Sequence, residues 1–137
     1  MPEKTESIAD DEELYRRIPV TTNWYDPELD APPSYRAFRP TKYDHSGLSL
    51  SRASFTTPNE EAGRGPGRMY FIAVLRAGDV RAHGMEVVAK PEPENPGHAE
   101  LPGLTYDSRR QTEEIQVLLA EQLCLRVEGP YPGGSPR

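Results

Sequence analysis

Met69-Tyr70-Phe71-Ile72-Ala73-Val74-Leu75 (MYFIAVL) is the longest unbroken apolar run in the chain. Seven residues are too few for a packed helix, and turn signals bound them: Gly63-Arg64-Gly65-Pro66-Gly67 before, Ala77-Gly78-Asp79 after. A continuous rather than alternating run predicts a strand covered on both faces, the core of a sheet. The neighbouring segments are then read by whether they pair with it or pack on it.

Upstream, Gly47-Leu48-Ser49-Leu50-Ser51-Arg52-Ala53 alternates leucine with serine, the period of a half-buried strand. Thr57-Pro58-Asn59-Glu60 starts a short helix, with Thr57 as N-cap, proline at the first helical position and Glu60 completing a capping box. Further back, residues 10–20 have two readings. Asp10 with Glu13 has capping-box spacing, with Leu14 and Ile18 on one helical face before Pro19; alternatively Leu14, Arg16 and Ile18 share one side of a strand. Residues 21–39 form a long irregular connection, turning at Asp26-Pro27, Asp30 and Pro32-Pro33, with Trp24, Tyr25, Tyr35 and Phe38 interleaved to pin it to the core or serve a ligand.

Downstream, residues 77–84 read as a helical turn closed by Gly84, residues 85–89 as a strand, and residues 98–101 as a short strand. The clearest helix spans 112–127, where Ile115, Leu118, Leu119 and Leu123 make one apolar stripe. The fold class is α+β: a small mixed or antiparallel sheet with one main C-terminal helix and short N-terminal helices, loop-rich. Residues 1–9 read as a flexible acidic arm, 10–128 as a single domain and 129–137 as a disordered tail.

Composition limits what such a domain does. Leu, Ile, Val and Phe number 11, 4, 7 and 3 among 137 residues, under the roughly one-fifth below which disorder competes with folding. Fifteen prolines and eleven glycines add loops. The net charge of −6 is concentrated in the first 13 residues, where six acids face Lys4. The remainder is nearly neutral, which disfavours nucleic acid, since phosphate neutralisation needs a basic face.

Cys124 is the only cysteine, so no internal disulfide forms; it lies at the end of the apolar stripe, as a packing residue does. His45, His83 and His98 lack metal-ligand spacing, so no metal is expected. No phosphate-binding glycine loop, nucleophile elbow or dinucleotide fingerprint occurs, and no cofactor is expected. With no signal-like segment and no long apolar stretch, the expectation is a cytoplasmic protein without a membrane partner.

The segment with most ligand character is Tyr35, Arg36, Phe38, Arg39, Lys42, Tyr43 and His45, where guanidinium groups stand beside rings. That mixture suits a phosphorylated ligand or a base. It equally suits a loop tied down by ion pairs, or a dock for the chain's own acidic arm.

The series Leu14-Tyr15-Arg16-Arg17-Ile18, Ala37-Phe38-Arg39-Pro40, Gly47-Leu48-Ser49-Leu50-Ser51 and His98-Ala99-Glu100-Leu101 resembles small bacterial protein families of unknown function. Its order also resembles, faintly, the ADP-ribosyltransferase fold, including its small toxin branch. There an early strand gives an Arg or His, a second strand of type Gly-Leu-x-x-Ser precedes a short helix, and a later strand gives a Glu. The resemblance implies Arg16 or Arg17 on the pyrophosphate of NAD and Ser51 or Ser49 at its nicotinamide end. The glutamate, Glu86 or Glu100, sits in no recognisable motif. Two functions follow. One is a non-enzymatic accessory protein, of the immunity, antitoxin or defence-associated kind, that binds a protein partner. The other is an NAD-dependent ADP-ribosyltransferase-like enzyme or a degenerate relative. A cleft in which the arginine, serine and carboxylate converge favours the second.

Overall fold

The apolar run forms β3 (Met69–Arg76), paired along its whole length with β1 (Glu13–Pro19) and on its other edge with β6 (Arg126–Pro132). A computed structural model of the chain describes residues 7–20, 23–29, 31–44 and 46–134. With β2 (Leu48–Arg52), β4 (Val88–Ala89) and β5 (His98–Leu101) these strands make one six-stranded antiparallel sheet, ordered β4-β5-β2-β1-β3-β6. The fold is α+β, and residues 13–19 are strand, the second of the two readings.

β3 is covered on both faces, as its unbroken apolar character predicts. Phe71, Ala73 and Leu75 join Leu14, Ile18, Leu48, Leu50 and Leu101 in the main core. Ile72 and Val74 point the other way, with Tyr15, Tyr70 and Ala62 in a smaller cluster under α1 (Pro58–Gly63). α1 begins as its sequence predicts: Thr57 Oγ1 accepts from the Glu60 amide, and the Glu60 carboxylate accepts from the Thr57 amide. The loop before β2 is pinned by aromatics, since Phe38, in the 3₁₀ turn Tyr35–Phe38, is fully buried and Tyr25 packs edge-on against Phe71 at 4.9 Å. α2 (Ala77–Ala82) follows β3 directly, and Gly84, at φ +86°, ends that turn.

The C-terminal half differs from expectation. The helix runs only as α3 (Glu113–Leu118) and a π-helical turn, Leu119–Leu123. Beyond it the Leu125 amide donates to the Val74 carbonyl, and Arg126–Pro132 becomes β6. Pairing with the free edge of β3 outweighs the helical stripe, which ends at Leu123. The expected tail from 129 is therefore ordered through 134, with Gly133 and Gly134 bonded to the carbonyls of Arg68 and Gly65. Pro130 and Pro132 hid it, yet proline is tolerated on a strand with only one partner. Residues 135–137 lie outside the described residues. The strand expected at 85–89 is reduced to Val88 and Ala89, which pair with Glu100 and Ala99 of the short β5.

The arm expected to run through residue 9 is already packed at residues 7 and 8: Ile8 is buried and the Ser7 carbonyl accepts from Arg52 Nη2. Residues 1–6 lie outside the described residues. The acids that follow pair with Arg81 (Asp10), Arg52 (Glu12) and Arg126 (Glu13), not with the Arg36 to Lys42 segment. Among the described residues no helix is long and apolar enough to cross a membrane.

The Glu12 contact sets an acid limit on stability. Burial pushes its carboxyl up, but hydrogen bonds from Arg52 and Ser54 outweigh this and hold it below the ordinary value. A carboxyl that is lower folded than unfolded adds stability that is complete above its unfolded pKa, about 4.3, and disappears as pH falls through the folded one. The thermal midpoint should therefore decline below about pH 4.3, and Glu12→Gln should decline less steeply over the same range. Equal acid slopes in the two proteins would show that this pair is not the sensor.

Candidate functional site

β1 and β2 are hydrogen-bonding neighbours for only two residue pairs, Leu14 with Arg52 and Tyr15 with Ser51. Beyond them β1 continues along β3, while the first half of β2 continues along β5. The sheet is thus forked, and the fork opens a cleft of about 740 Å³, within the size range of small-molecule sites.

Arg16 stands at the fork and replaces the missing ladder. Its Nε donates to the Ala37 carbonyl (3.0 Å), Nη1 to Ser49 (3.1 Å) and Nη2 to Arg39 (3.3 Å). Asp44 Oδ2 lies 3.8 Å from Nη2. Burial pushes the Arg16 pKa down, with Asp44 opposing. Asp44 is itself buried and takes bonds from the amides and hydroxyls of both Thr41 and Ser49. The first predicted arginine is therefore mostly spent on backbone.

Across the fork, β2 and β5 align Ser49 with Glu100 and Ser51 with His98. Alternation places all four side chains on one face. The Glu100 carboxylate is buried and held at both oxygens: Ser46 Oγ donates to Oε1 (2.9 Å), and His98 Nε2 lies 3.0 Å from Oε2. Asn95 Nδ2 donates to Ser51 Oγ at 3.1 Å.

On the β1 wall, Arg17 Nη1 donates to Glu61 Oε2 (3.0 Å), and Arg64 Nη1 to Glu61 Oε1 (3.1 Å). The walls differ in sign. Arg16, Arg17 and Arg64 outnumber Asp44 and Glu61 by one on one side; Glu92, Glu94 and Glu100 line the other with His98.

The cleft brings together Arg16, Arg17, Ser49, Ser51 and Glu100. Glu86 is elsewhere, exposed beside a smaller apolar pocket with Met85, Leu104 and Ile115. The Tyr35 to His45 segment does not assemble as one site. Phe38 is core, Arg39 pairs with Glu113 at 3.7 Å, Arg36 and Lys42 are exposed, Tyr35 is half-buried, and only Tyr43 reaches the cleft. His45 lies outside the described residues. Cys124 follows the π-helical turn, half-buried, and burial pushes its thiol pKa up.

Sequence reasoning missed Asp44, Glu61, Arg64 and His98 as site residues. His98 was legible, since His-x-Glu on a strand puts both side chains on one face; the other three depend on tertiary approach. Compared with known proteins, the chain matches no protein-family model, no curated sequence and no solved structure.

Proposed function

We propose that the protein is an NAD-dependent ADP-ribosyltransferase-like enzyme acting in the forked-sheet cleft. The observation that carries this reading is the convergence of arginines from β1, serines from β2 and one glutamate from β5 on a single cavity. The polarity of the cleft supports it. NAD carries an anionic pyrophosphate and a cationic nicotinamide ring, and the cleft opposes a basic wall to an acidic one.

In that reading the basic wall takes the pyrophosphate, and Ser51 with Glu100 faces the nicotinamide ribose. The bond from ribose C1′ to the nicotinamide nitrogen breaks, and nicotinamide leaves with the electron pair. A fixed carboxylate stabilises the positive charge that develops at C1′. The acceptor's lone pair then bonds to C1′ and its proton is released. Ser46 and His98 aim the carboxylate. The alternative of a protein-binding accessory rests on small size, an acidic N-terminal arm and the lack of a complete catalytic set in the linear sequence, and the cleft bears on the last of these alone.

NAD titrated into the protein should move the amide signals near Arg17, Ser51 and Glu100 together, saturating within the usual Michaelis range of about 1 μM to 1 mM. Prolonged incubation should release nicotinamide, with water as acceptor. Silent signals and no nicotinamide at millimolar NAD would remove the enzyme reading and leave the protein-binding one.

A further inference from the structure

We propose that Arg17 and Arg64, held side by side by Glu61, form a phosphate seat on the β1 wall of the cleft. Glu61 is buried, its side chain only 5% exposed, and each of its oxygens is given to a different guanidinium. The cluster keeps one net positive charge. Every side-chain hydrogen bond these arginines make among the described residues uses Nη1: Arg17 to the Glu61 carboxylate and carbonyl, Arg64 to Glu61 and Thr56 Oγ1. An arginine has five N–H donors. The Nε and Nη2 groups of both residues have no partner among the described residues, and both side chains are about one-third exposed on the cleft.

The two forks are also pre-positioned. Arg17 lies over the Tyr70 ring at 5.7 Å, and the Tyr70 hydroxyl is anchored on the Pro66 carbonyl at 3.1 Å. Ordering cost on binding is correspondingly small. A planar carboxylate is saturated by one guanidinium fork; two forks from a strand and a helix end suit a tetrahedral, multiply charged anion. Arg16 does not qualify, because its donors go to three backbone carbonyls. Glu61 is a positioning residue for the pair. Naming the ligand as a pyrophosphate diester rests on the NAD reading; the seat itself rests on phosphate chemistry alone.

The test is inorganic pyrophosphate titrated into the full chain at fixed ionic strength and followed by amide shifts. Saturable shifts should centre on Arg17, Glu61, Arg64 and Tyr70. Arg17→Gln and Arg64→Gln should each weaken binding about tenfold or more, as the loss of charge-assisted hydrogen bonds implies, with thermal midpoints measured alongside to show that both variants fold. Shifts centred on the Arg36 to Lys42 segment, or wild-type affinity in Arg64→Gln, would overturn the seat. The two proposals fail separately. Pyrophosphate bound through Arg17 and Arg64 with no response to NAD keeps the seat and ends the NAD reading. NAD turnover with an unchanged KM in Arg64→Gln does the reverse.

Discussion

Arg16→Ala is expected to cost about 3–5 kcal/mol of folding stability, the range for removing one member of a buried ion pair. The guanidinium is the only link across the fork on its side of the sheet that the described hydrogen bonds provide, joining β1 to the carbonyls of Ala37, Arg39 and Ser49. Truncation removes the partner of a buried carbonyl at Ala37 and of two partly buried ones at Arg39 and Ser49, and a buried polar group left unsatisfied is costly. Asp44 keeps its bonds from Thr41 and Ser49 but loses its cation. Against a total stability of about 5–15 kcal/mol this is a large share. The thermal midpoint should fall by on the order of 10 °C or more. A midpoint within about 2 °C of wild type would mean that the arginine is not the bridge described. Loss of NAD binding in this variant is therefore no evidence of ligand contact, and Arg17 is the cleaner probe.

How far the sequence could be read depended on whether a signal was local. The strands β2, β3 and β5 and the Thr57 capping box were visible because apolar patterning and cap chemistry act within a few residues, whereas residues 10–20 fitted helix and strand alike until their pairing with β3 decided between them. β6 was not visible, because Arg126–Pro132 buries little and carries two prolines; its strand character comes from the edge of β3. The same logic divides the site. Ser49, Ser51 and Glu100 were found as strand residues, whereas the choice between Glu86 and Glu100 needed the β2–β5 register. The Tyr35 to Tyr43 cluster left a ligand site and an ion-paired loop both open, because proximity in sequence does not fix proximity in space. The 3₁₀ turn sends Phe38 into the core while Arg36 stays exposed.

That register makes Glu100→Gln the variant that decides the chemistry. The substitution keeps size and hydrogen-bonding capacity: the amide oxygen still accepts from Ser46, and the amide nitrogen still meets His98. Folding should be nearly unaffected. What disappears is the negative charge on a buried group facing the cleft, the one feature that distinguishes a cationic transition state from bound NAD. Removing a preorganised electrostatic contact of this kind costs about 10²–10³ in kcat. Nicotinamide release should fall by that factor, while NAD affinity, read from amide shifts, stays within a few-fold of wild type. Glu86→Gln, in the separate pocket, serves as the matched control and should release nicotinamide at the wild-type rate. Equal activity in Glu100→Gln and wild type would take Glu100 out of the reaction. A loss of NAD binding as large as the loss of rate would assign it to holding the ligand rather than to the transition state.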